Sequence, residues 1–154
     1  MNKPNALNQY LALYRENAAA IDAHSGGTLN ALRPAALEAL EREGRLPEKG
    51  DERYEKTSVN EMFLPDYGVN VNRVGMPVDV GASFRCGVPN LSTLMAVVVN
   101  DRFVPTATLL KNLPEGLTVC SLAEAANSHP GLIERYYGRA AGLDDPSAAL
   151  NTLL

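Results

Sequence analysis

Between Glu48 and Phe63 a dense run of mixed charge passes directly into a capped apolar segment, a boundary that any fold of the chain must respect. Ser58 and Glu61 stand at the spacing of a capping box, in which the hydroxyl takes the backbone N–H three residues on and the carboxylate reaches back. A short helix is therefore expected to begin at Val59, with Thr57 as the alternative cap. From Glu41 to Lys56 there are six acidic and five basic residues, a solvated and nearly neutral connector without an electrostatic footprint for nucleic acid. Exposed ion pairs contribute only about 0–1 kcal/mol each, so the cap rather than charge pairing is expected to hold this connector.

Before the connector, Leu7, Tyr10, Tyr14, Ala18 and Ile21 recur at helical spacing, predicting a helix from about Asn5 to Asp22 that His24 to Gly27 ends. Pro34 suits a first helical turn and Gly44 a helix end, so a second helix is expected between them, with Leu29, Leu32, Leu37 and Leu40 packing on the first. After it, Pro65 to Gly68 signals a turn and Val69, Val71 and Val74 an irregular extended stretch. Leu94 to Val99 is the clearest strand, with Asn100 and Asp101 turning into a return strand from Arg102 to Val104. Gly116 to Cys120 is a candidate third strand. Ser121 and Glu124 form a second capping-box spacing opening a helix to about Asn127, and Pro130 restarts a helix that stops at Gly138.

These elements predict an α+β fold: an N-terminal helical hairpin, a short capped helix, a small antiparallel β-hairpin or sheet, and C-terminal helices. One domain over 1–154 would divide into a helical part about 1–64, a mixed α/β part about 65–143 and a last helix about 145–154. Asp145 and Pro146 open that last helix well, but it ends on Leu153 and Leu154 with no stop signal. Its apolar face is expected to lack a partner in the chain, as at a severed junction.

A chain of 154 residues is long enough for a real core, and its net charge of −4 disfavours a phosphate-backbone partner. No apolar run approaches the roughly 20 residues that cross a bilayer, and Met1 to Pro4 lacks the apolar core of a secretion signal, so the cytoplasm is expected. Cys86 and Cys120 fall at no metal-ligand spacing and read as small apolar side chains, and His24 and His129 sit at helix boundaries. The glycines match no phosphate-cradling pattern, Ser25, Ser58 and Ser121 lack a nucleophile setting, and Asp144, Asp145, Asp51 and Glu52 fall in polar loops. Tyr10, Tyr14, Tyr136 and Tyr137 read as core or interface. No enzyme, resident cofactor or metal is expected.

The order of local motifs nevertheless resembles the N-terminal region of the SufB/SufD family of iron–sulfur cluster assembly proteins, SufD-like members above all. The resembling stretches are Ile21 to His24, Leu29 to Arg33, Leu46-Pro47 followed by Glu52 to Tyr54 and Thr57, Asp66 to Arg73, Val88 to Thr93, Val98 to Phe103, Leu113 to Gly116, Ser121 to Ala126, His129-Pro130, Tyr136 to Gly138 and Leu150 to Thr152. In family members a right-handed β-helix and a C-terminal helical part follow, carrying the candidate cluster ligands, the SufB–SufD contact and the docking of the SufC ATPase. The resemblance implies a non-catalytic N-terminal domain of a SufD-like scaffold subunit working with SufB-like and SufC-like proteins. Glu52, Arg53, Tyr54, Lys56, Thr57, Leu150 and Leu153 are the candidate interaction surface. The alternative is an independent metal-binding or sulfur-accepting protein using Cys86 and Cys120.

Overall fold

The computed structural model describes residues 4–79 and 94–154. The chain divides into two units, Met1–Val69 with Ala123–Leu154, and Asn70–Leu122. The fold class is α+β, as the sequence predicts, and the C-terminal helices group with the N-terminal ones.

In the first unit, α1 (Leu7–Ala23) buries Leu7, Tyr10, Leu11 and Ile21. It is followed by the short α2 (Gly27–Asn30), a turn of helix that the spacing of the apolar residues does not predict. Gly26 lies against a later helix so closely that a Cβ there would meet the Ala126 Cβ at 2.8 Å. Helix α3 (Arg33–Glu43) takes Pro34 in its first turn and ends at Gly44, whose φ of +73° lets its N–H return to Leu40 O. Helix α4 (Val59–Met62) begins at Ser58, whose Oγ accepts the Glu61 N–H at 3.1 Å.

The carboxylate that meets the Ser58 hydroxyl is that of Glu48. Ser58 Oγ donates to Glu48 Oε2 (3.1 Å), and Glu48 Oε1 accepts from Asn60 Nδ2 (2.9 Å). Buried Asn60 also takes the Ala6 N–H (2.8 Å) and donates to Pro4 O (3.0 Å), so the connector is tied to the start of the chain as well as capped. Ser58→Ala is expected to cost about 0.5–2 kcal/mol, read as a lowered urea midpoint. An unchanged midpoint would show that the contacts of Glu48 and Asn60 suffice alone.

The unit closes with α6 (Leu122–Ser128), α7 (Pro130–Tyr136) and α8 (Pro146–Leu153). The close partner of α3 is α8, so the expected hairpin of the first two long helices is not the central pairing. One core joins α1, α3, α4 and α8, with Leu7, Leu40, Leu46 and Leu153 fully buried and the Tyr10 and Phe63 rings edge-to-face at 5.5 Å.

In the second unit β1 (Val97–Val99) pairs antiparallel with β2 (Arg102–Val104), Val98 opposite Phe103. Asn100 and Asp101 form the expected turn with φ of +49° and +63°. Asn70 clasps it, donating from Nδ2 to Asn100 O (2.8 Å), while Arg73 Nη1 reaches Asp101 O (2.9 Å). Strand β1 is shorter than predicted, and 117–120 form no strand. The Leu117 N–H folds back to Pro114 O, and Gly116 has φ of +81°. β propensity without a neighbouring ladder does not make a strand. Helix α5 (Ala107–Asn112), which the sequence reading missed, is capped by Thr106 Oγ1 on the Leu109 N–H (3.1 Å). Cys86 and the motif Val88 to Thr93 lie outside the described residues.

Candidate functional site

The connector candidates and the start of α8 come together in the first unit. Arg45 makes a two-pronged contact with Asp51 (2.7 and 3.1 Å), and Asp51 also accepts the Glu48 N–H (2.8 Å). The Arg45 hydrogen bond is the main reason that the Asp51 carboxyl sits below its ordinary pKa. Bonded on both oxygens, Asp51 fixes the turn that presents the next residues. There Tyr54, half-buried, places its hydroxyl 3.1 Å from both Asp145 oxygens and 2.8 Å from Ser147 Oγ, a geometry in which it donates to the carboxylate and accepts from the serine. Arg53 approaches Asp145 at 3.7 Å and Asp144 at 3.9 Å.

Asp145 is the hub of this contact and the cap of α8, taking the Ser147 and Ala148 N–H groups. Burial alone would raise its pKa, but the bonds from Ser147, Tyr54 and Ala148 and the charge of Arg53 outweigh burial and hold it below the ordinary carboxylate value. A depressed folded-state pKa stabilises the fold above the unfolded-state value and loses that contribution as pH falls through the folded one. Asp145→Asn keeps a capping oxygen but does not titrate. It is expected to cost about 1 kcal/mol at neutral pH and to flatten the acid limb of stability below about pH 4. Urea unfolding across that range checks this, and an acid limb as steep as the parent's would remove Asp145 from the account.

Of the candidate surface, Glu52, Arg53, Lys56 and Thr57 are exposed and Tyr54 half-buried. Leu150 and Leu153 are not part of it: they are 6% and 0% exposed, packed in the core beside Leu40. The expectation that α8 lacks a partner in the chain is thereby corrected. Its apolar face repeats at the spacing that α3 offers through Ala36, Ala39 and Leu40. Cys120 is half-exposed and unpaired, and His24 and His129 are exposed. Among the described residues no three His, Cys, Asp or Glu gather as a metal site would require. Asp51 and Asp145 are both displaced downward, toward the ionised form.

Sequence reasoning did not resolve a cleft of about 430 Å³ bordered by Tyr136, Tyr137, Gly138, the 140–143 segment, Asn151 and Thr152. Tyr137 and Thr152 share a hydroxyl contact of 3.1 Å on its border. The tyrosine pair was the available signal.

The chain belongs to the SufBD protein N-terminal region family, whose model matches residues 4–154. The family is one of iron–sulfur cluster assembly, and SufB/SufD family proteins are scaffold components. Comparison with curated proteins and with solved structures finds no match. No described helix is long and apolar enough to cross a membrane.

Proposed function

We propose that this chain is the N-terminal domain of a SufD-like scaffold subunit in cytoplasmic iron–sulfur cluster assembly, acting through protein contacts with SufB-like and SufC-like proteins. The family match over residues 4–154 carries the reading. The domain itself holds no cluster and no cofactor, and it catalyses no step. The arrangement of Arg53, Tyr54 and Asp145, which joins the charged connector to α8, supports a role in presenting a surface.

Purified protein is expected to be colourless and nearly metal-free and to be retained by co-expressed SufB-like and SufC-like subunits. Failure of retention counts against the scaffold reading. Anaerobic reconstitution yielding one stoichiometric iron–sulfur or zinc site, abolished by Cys86→Ser or Cys120→Ser, would replace it with the metal-binding alternative.

A further inference from the structure

Helix α7 has no buried residue. Seven residues are too few for a helix to sustain itself in water. Its Leu132 and Tyr136, one turn apart and therefore on one face, are 56% and 60% exposed. Tyr136 also borders the 430 Å³ cleft, which is lined mostly by small residues and tyrosine.

Two cations stand beside it. The Arg135 guanidinium lies 5.2 Å over the Tyr136 ring, and Arg139 Nε donates to Arg135 O at 3.2 Å. Both arginines are exposed and neither has an ion-pair partner among the described residues. Glu134 on the same helix pairs with neither, and Asp144, beside Gly142, is approached by Arg53 instead. Exposed tyrosine and arginine beside a cavity are the residue types that dominate binding energy at interfaces. A guanidinium stacked on an aromatic face presents its N–H fork to a carboxylate while the ring stays open to apolar contact.

We propose that α7 and the adjoining cleft are the docking site for an acidic amphipathic segment of a partner subunit. An apolar side chain of the segment enters the cleft, and its carboxylates meet Arg135 and Arg139. This rests on the scaffold reading and says where on the chain, and by what chemistry, the partner is held.

The test measures the complex with the SufB-like and SufC-like subunits by titration. Arg135→Glu combined with Arg139→Glu, and separately Tyr136→Ala, are each expected to weaken it by about tenfold or more. The double reversal should also remove most of its salt dependence. These side chains are exposed, so unchanged circular dichroism and melting confirm that the variants fold. Val98→Ser, in the other unit, is expected to bind as the parent does. If the parent binds and both α7 variants bind equally well, the docking site is overturned while the scaffold reading stands. If the parent forms no complex, both fall. If the parent instead self-associates and the α7 variants abolish that, the occupant is a second copy and the acidic-partner proposal is overturned.

Discussion

Replacing Arg33 by methionine is expected to destabilise the fold by about 2–4 kcal/mol. This arginine is 3% exposed, and its guanidinium spends its donors in several directions. Nε bonds Leu153 O (3.1 Å), Nη1 bonds Asp22 Oδ1 (2.8 Å) and Asn30 Oδ1, and Nη2 bonds Ser25 Oγ (2.7 Å). Asp22 is half-open to water and can be rehydrated when its partner is lost, which keeps the figure from the top of the range for buried pairs. Leu153 O has no such recourse, because Leu153 is fully buried. Arg33→Lys is expected to recover little, since an ammonium cannot reproduce the planar fork, and Asp22→Asn should cost less than Arg33→Met. Urea unfolding reads all three. A loss below about 1 kcal/mol for Arg33→Met would mean that the network is ornamental.

Leu153→Ala and Leu40→Ala are each expected to cost about 2–5 kcal/mol, because both leucines are fully buried and the cavity left by either is walled by helices. The double variant should fall short of the sum, with a coupling of roughly 0.5–3 kcal/mol if α3 and α8 share the contact. The same pair decides the status of the last helix. A cost under about 1 kcal/mol at Leu153 would mean that α8 is loosely held in solution, as the unfinished look of its sequence suggested.

Local physics was legible in the sequence, and distant pairing was not. Gly44, Ser58 and the Asp145-Pro146 pair each solve a problem of the backbone within a few residues, so their helices could be placed from the chain alone. Thr106 was equally local, and α5 was missed because its apolar residues are too few to show a period. The stretch after Gly116 carries strand-forming residues, but whether a strand forms depends on a neighbour that no local signal announces. Nothing in the local sequence marks Arg33 or Asn60 for burial. Their partners lie 120 positions away at Leu153 and 54 at Ala6, a separation that periodicity cannot see. The same blindness made α8 look unpartnered. Of the candidate surface, the exposed charges of the connector were legible, and the contact of Tyr54 with Asp145 was not.

The return of α8 to a groove built by the earliest helices has a consequence for the order of events during synthesis. In chain order the second unit is inserted between the two segments of the first, so the ribosome delivers α1, α3 and α4, then the hairpin, and only after it the helix that completes the first core. Until then Leu40 faces solvent and Arg33 lacks the carbonyl that it is built to hold. The hairpin, whose partners are a few residues apart, can form as it emerges, whereas the helical core waits on contacts of long sequence separation, the slow class of folding event. A nascent chain stalled before Pro146 would therefore present an open apolar groove, the state in which such a protein most needs a chaperone.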